Sequence, residues 1–198
     1  MLFRSGTGGI LVNNTSGTAT TFSGTNTFTG PIQITSGTLT TGSTSALGNT
    51  NNPVNFANTA GVTLSLGNNV SVGSISGAGA TGGTITLGAN TLTFGGNNEN
   101  TIYAGTITGT GGITKVGTGT TTLTTGASSF SGAVNLNGGF VNINALPASG
   151  NSLLGTNATI GFGGGGIQFG AVFDPSVRAL AFNAGGATFD TATNIIGL

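Results

Sequence analysis

Apolar and hydroxyl or amide side chains alternate along this chain in runs of four to six residues. Examples are Pro31-Ile32-Gln33-Ile34-Thr35, Gly61-Val62-Thr63-Leu64-Ser65-Leu66 and Thr84-Ile85-Thr86-Leu87. Thr91-Leu92-Thr93-Phe94, Ala133-Val134-Asn135-Leu136 and Phe140-Val141-Asn142-Ile143 follow the same rule. A period of two puts Ile, Val, Leu and Phe on one face of a strand and Thr, Ser and Asn on the other. Clusters such as Asn68-Asn69 and Gly82-Gly83 bound the runs, and these residue types supply the positive-φ corners of tight turns. No segment carries a 3.6-residue stripe. Asp174-Pro175-Ser176-Val177-Arg178-Ala179-Leu180-Ala181 is the one stretch expected to form a helical turn or two.

The chain also resembles itself at longer range. Asn26 to Leu39 matches Ser128 to Val141 at an offset of 102, with Phe, Gly and apolar positions coinciding. Thr7-Gly8-Gly9-Ile10 matches Thr110-Gly111-Gly112-Ile113, and Leu92-Thr93-Phe94 matches Ala187-Thr188-Phe189. The expectation is a single module over 1–198 holding about two degenerate repeats of roughly 100 residues, about 8–105 and 110–198. One short strand cannot bury its apolar face alone, so successive coils are expected to stack and share a core. Coils of about 20 to 25 residues would give roughly eight to ten turns and a rod on the order of 40–50 Å long. The fold class expected is all-β, a parallel β-helix or β-solenoid. The alternative is a β-sandwich of hairpins, which also reads as short strands between turns.

Composition narrows the function. The 198 residues include three basic and three acidic side chains and no His, Cys or Trp, against 40 Gly, 37 Thr and 22 Asn. Imidazole or thiolate metal sites, His- or Cys-based catalysis and disulfides are excluded. Three cations cannot neutralise a run of phosphates, so nucleic acid is not an expected partner. A mean hydropathy of +0.29 and zero net charge argue against a disordered chain. No apolar stretch approaches the roughly 18 residues of a membrane span, and Met1-Leu2-Phe3-Arg4 does not open a secretory signal. Scarce charge itself suits stacking, because like charges directly opposite in adjacent coils repel, whereas Thr and Asn can form ladders.

From Gly109-Thr110-Gly111-Gly112-Ile113-Thr114-Lys115-Val116-Gly117-Thr118-Gly119-Thr120-Thr121-Thr122-Leu123-Thr124, through Phe130-Ser131-Gly132 and Val134-Asn135-Leu136-Asn137-Gly138-Gly139 to Val141, the sequence resembles the autotransporter-associated β-strand repeat. Residues 23–48 resemble a degenerate second copy without the Lys, Val12 or Asn13 standing where Lys115 does. The resemblance implies a right-handed parallel β-helix displayed on or secreted from a bacterial surface, with no catalytic residues to carry over. The anchoring barrel of an autotransporter is not recognisable, and Ile195-Ile196-Gly197-Leu198 makes an apolar end. The chain is therefore expected either to be cut from a longer passenger, stacking on its flanking repeats, or to stack end to end on copies of itself.

Candidate chemistry is sparse. The carboxylates are Glu99, Asp174 and Asp190. Asp174 and Asp190 could fall on neighbouring coils as a glycosidase-like pair, but both read as turn or cap acids, and Glu99 reads as a solvated loop residue. Lys115 reads as a solvated lysine on the outer face or at a corner, and Arg178 as a partner for Asp174 at i,i+4 on an exposed turn. Gly161-Phe162-Gly163-Gly164-Gly165-Gly166 fits G-x-G-x-x-G in letters only, because a strand and not a helix follows it. No Asp follows a Gly pair as calcium-binding nonapeptides require. Thr-x-Thr elements at Thr84-Ile85-Thr86, Thr91-Leu92-Thr93, Thr106-Ile107-Thr108 and Thr122-Leu123-Thr124 could order water on a flat face, but they recur at no fixed interval. The twelve Phe residues read mainly as core. Together with what the resemblance implies, these residues lead to the expectation of a non-enzymatic extracellular structural protein, a stalk, adhesin shaft or filament subunit, with no catalytic, cofactor or metal residues. The alternative is a binding module whose Thr/Asn faces take ice or surface glycans.

Overall fold

The computed structural model describes residues 6–15, 17–77, 83–124, 128–143, 153–156, 159–170 and 178–191. They form twenty strands in three parallel sheets. The largest sheet has nine strands: β1 (Ile10–Asn13), β3 (Ile32–Ser36), β5 (Pro53–Phe56), β8 (Ser74–Gly77), β11 (Thr101–Tyr103), β14 (Thr120–Leu123), β16 (Phe140–Ile143), β18 (Gly166–Phe169) and β20 (Thr188–Asp190). A five-stranded sheet holds β2 (Ala19–Phe22), β4 (Thr38–Thr41), β6 (Thr63–Leu66), β9 (Thr84–Thr86) and β12 (Thr106–Thr108). A six-stranded sheet holds β7 (Val70–Val72), β10 (Leu92–Phe94), β13 (Ile113–Lys115), β15 (Val134–Leu136), β17 (Thr159–Phe162) and β19 (Ala179–Phe182).

From β5 to β14 the chain visits the nine-, five- and six-stranded sheets in turn; the laps before alternate between the nine- and five-stranded sheets, and the laps after between the nine- and six-stranded ones. Strands inside each sheet therefore pair with their counterparts one lap earlier and one lap later, which makes the molecule a β-solenoid. The first four strands of the large sheet begin 22, 21 and 21 residues apart. Every pairing between the described strands is parallel, so the β-sandwich alternative fails. The expected helical turn is also corrected in part. Ala179 opens β19, and residues 174–177 lie outside those described.

Alternation decides what enters the core. In the large sheet one inward file runs Ile10, Ile32, Val54, Ile75, and the next runs Val12, Ile34, Phe56, Gly77, Tyr103, Leu123, Ile143, Phe169. From Ile32 onward the apolar members of these files are at most 5% exposed. Gly77 lies between two rings, and the gap lets Phe56 and Tyr103 meet edge-on with centroids 5.5 Å apart. The Tyr103 hydroxyl donates to Gly83 O (2.7 Å) and Thr106 O (3.2 Å), so a polar atom is satisfied inside the apolar stack.

Asparagines close the corners. Asn52 is buried and donates through Nδ2 to Phe28 O (2.8 Å) and Leu47 O (3.0 Å), while Asn26 donates to Ala46 O (2.8 Å). At other corners the amide oxygen accepts from a backbone N–H of the neighbouring lap: Asn69 from Thr91, Asn98 from Thr118, and Asn100 from Thr120. Asn98 holds φ at 63°, a left-handed conformation that Asn tolerates better than most residues. The backbone groups of these corners are thereby paired by neutral side chains.

Candidate functional site

The three sheets present different outer faces. On the nine-stranded sheet a short outward file, Thr120, Phe140, Gly166, Thr188, flanks a longer one that runs Leu11, Gln33, Asn55, Ser76. The longer file resumes as Ile102, Thr122, Asn142, Gln168, Asp190. Ser76 Oγ donates to Asn55 Oδ1 (2.6 Å), Asn142 Nδ2 to Gln168 Oε1 (2.6 Å), and Gln168 Nε2 to Asp190 Oδ2 (2.9 Å). Asp190, expected as a cap acid, is thus the accepting end of an amide ladder. Leu11 and Ile102 interrupt this face with exposed apolar side chains. The six-stranded sheet has one outward file along its full length, Ser71, Thr93, Thr114, Asn135, Gly161, Ala181, which loses its polar groups toward one end.

The five-stranded sheet differs in carrying two hydroxyl files. Ala19, Thr38, Thr63, Thr84 and Thr106 align in one, and Thr21, Thr40, Ser65, Thr86 and Thr108 in the other. Between them Leu39, Leu64, Ile85 and Ile107 point inward and are at most 1% exposed. None of the pairings in this sheet has a register shift, whereas β1 and β3 slip at Val12/Asn13. Thr84 and Thr106, one lap apart, bring their hydroxyls to 3.4 Å. Irregular spacing in the chain hides this regularity: Thr38, Thr63, Thr84 and Thr106 are 25, 21 and 22 residues apart, and the corners absorb the differences. Of the four expected Thr-x-Thr elements, Thr84–Thr86 and Thr106–Thr108 share this sheet. Thr91-Leu92-Thr93 places Thr93 on the six-stranded sheet, and Thr122 stands on the nine-stranded one. Thr38-Leu39-Thr40 and Thr63-Leu64-Ser65, not singled out from sequence, complete the array.

Lys115 corrects an expectation. It is fully buried, facing inward in a file with Val72, Phe94, Leu136, Phe162 and Phe182. Strand alternation forces this position inward after Ile113 (in) and Thr114 (out). Its ammonium donates to Val116 O (2.6 Å) and Gly138 O (3.4 Å), fastening its own lap to the next. Burial lowers its pKa to about 8.

The remaining charges do not converge. Glu99 is exposed but bound, accepting from Ser74 Oγ (3.0 Å) and Asn97 Nδ2 (2.7 Å). Arg178 donates to Leu154 O (3.2 Å) and Gly155 O, and Asp174 lies outside the described residues, so neither the i,i+4 pair nor the acid pair can be drawn. Among the described residues no three His, Cys, Asp or Glu gather as metal ligands, and no helix is long and apolar enough to cross a membrane. The Gly161–Gly166 run leads into β18, the strand that its sequence predicts. Phe22, Phe28, Phe56, Phe94, Phe130, Phe162 and Phe169 are core residues. Phe182, on the final strand of its sheet, is 59% exposed and stacks on Phe162 with centroids 5.6 Å apart.

No protein-family model matches the chain, and no solved structure does. Over 72 residues, 36% of its length, the chain is 41% identical to the adhesin BmaC autotransporter of Brucella suis biovar 1 (strain 1330). That match spans 2% of the adhesin. The resemblance to autotransporter passenger repeats is therefore carried by sequence similarity to an autotransporter adhesin and by stacked parallel laps alike.

Proposed function

We propose that this chain is a non-enzymatic module of an extracellular, surface-displayed adhesin, serving as a shaft segment that stacks lap on lap. The observation that carries the reading is the unbroken parallel ladder of nine strands over an apolar core. Such a ladder transmits load and position along an axis without a chemical site. The similarity to an autotransporter adhesin supports placement outside the cell. Strand edges at both ends of a solenoid are templates for further pairing, so flanking laps of a longer chain, or a second copy, are the partners that fit.

Immunogold labelling of intact, unpermeabilised cells that produce the protein tests the placement. Label on the outer surface is expected, and label that appears only after permeabilisation overturns it. Ultracentrifugation and electron microscopy of the purified chain test the stacking. Rods that lengthen with concentration support copy-on-copy contacts, and monomers at every concentration restrict the role to laps within one chain.

A further inference from the structure

We propose that the two-file hydroxyl face of the five-stranded sheet is an ice-binding surface. It requires the solenoid and not the shaft role. The face is regular in two directions. Adjacent rows stand about 4.8 Å apart, and alternate residues along a strand about 6.7 Å apart. The lateral repeat is close to the distance between second-neighbour oxygens of the ice lattice, those bonded to a common water. From Thr38 onward the Thr side chains of both files are half-buried between their neighbours, and β-branching restricts χ1 further, so hydroxyl and methyl positions are fixed before any ligand arrives. Ordered water then meets a matching array, and little ordering entropy remains to be lost on contact.

Two further observations select the ligand. Glycines border the array on both sides: Gly37, Gly61, Gly83 and Gly105 before the strands, Gly42, Gly67, Gly88 and Gly109 after them. At these described positions the corner residue carries no side chain, which suits an extended flat solid and not a small molecule held in a cavity. The face is also electrically neutral. Among the described residues no Lys, Arg, Asp or Glu lies on the five-stranded sheet, although one of each kind lies elsewhere. A neutral hydroxyl lattice complements a neutral hydroxyl array, whereas an ionic partner would find no counter-charge. Exposed aromatic rings, which would mark a sugar-stacking platform, are absent from the described strands of this face. On the other two outer faces the long file is broken, by Leu11 and Ile102 or by Gly161 and Ala181, and the second file of the nine-stranded sheet is interrupted by Phe140 and Gly166.

The test uses the purified chain in a nanolitre osmometer and its uptake into a slowly growing ice hemisphere. Faceted crystals, a freezing-point gap and enrichment in the ice are expected. Thr84→Tyr and, on a different row, Thr40→Lys should each remove most of the gap, while Thr93→Tyr on the six-stranded sheet should leave it unchanged. Circular dichroism melts of every variant identify any that fail to fold, and the second row then carries the comparison. No gap and no enrichment for the folded chain overturns the proposal. So does equal loss in Thr93→Tyr, or full activity in both Thr84→Tyr and Thr40→Lys. Adsorption to an insoluble polysaccharide without uptake into ice also overturns it and assigns the face to a solid glycan.

Discussion

Replacing Lys115 by Met should stabilise the protein at neutral pH. The ammonium lies in a file of otherwise apolar residues, held by two carbonyl oxygens and no carboxylate. Its pKa falls from 10.5 to about 8, so below pH 8 the fold carries a charge that burial disfavours. At 1.36 kcal/mol per pKa unit the shift corresponds to about 3 kcal/mol. Met fills the space without the charge but leaves Val116 O and Gly138 O without that donor, which costs about 1 kcal/mol for each bond. The net expectation at pH 7 is a gain of about 1–2 kcal/mol. The pH dependence is more diagnostic. Between the folded value near 8 and the unfolded value of 10.5, the unfolded chain holds the proton that the folded chain has released. Stability of the parent protein therefore rises with pH across this window, by about 2 kcal/mol from pH 7.5 to 9.5. Lys115→Met should show no such rise. Urea unfolding of both proteins at those two pH values measures it. A parent curve that is flat or falling, or a variant that rises in parallel, would refute the reasoning.

Tyr103→Phe keeps the ring packed on Phe56 but removes the donor to Gly83 O and Thr106 O, and should cost about 1–2 kcal/mol in urea unfolding. Burial raises the Tyr103 pKa above its usual 10, so its share of stability is intact below pH 10 and fades as pH climbs beyond; the Phe variant should lack that alkaline loss. Gly105→Ala would drive a methyl into Gly83 O and the Tyr103 ring, for a loss of about 2–4 kcal/mol, whereas Gly8→Ala meets open space and should be near neutral. Asn52→Ala leaves Phe28 O and Leu47 O without their side-chain donor and should lower the melting midpoint by several degrees, at about 2–3 kcal/mol.

Strand content and the stacked architecture were legible because period-two alternation survives in nearly every run, and Gly and Asn mark the corners. The assignment of strands to sheets was not. Corner lengths vary from lap to lap, so equal intervals in the chain do not mean equal places on the surface. The match at offset 102 sets Ile32 of the nine-stranded sheet against Val134 of the six-stranded one; what the two stretches share is a strand with similar corners. Lys115 was misplaced for a different reason. Charge argued for solvent, while the alternation Ile113, Thr114, Lys115 argued for the interior, and the backbone pattern prevailed because two carbonyls lie within reach of the ammonium. Glu99 was placed at a loop tip correctly, but its bonds to Ser74 and Asn97 join residues from consecutive laps, which only stacking brings together.

Because the described strands of each lap pair only with those of its immediate neighbours, tension applied along the stack meets the molecule one layer at a time. Each peeled layer frees about 20 residues, a slack of about 70 Å at full extension, in place of a rise of about 4.8 Å. A tether built this way lengthens many-fold under a modest, nearly constant pull, and rewinds on a template that the unpeeled layers still provide.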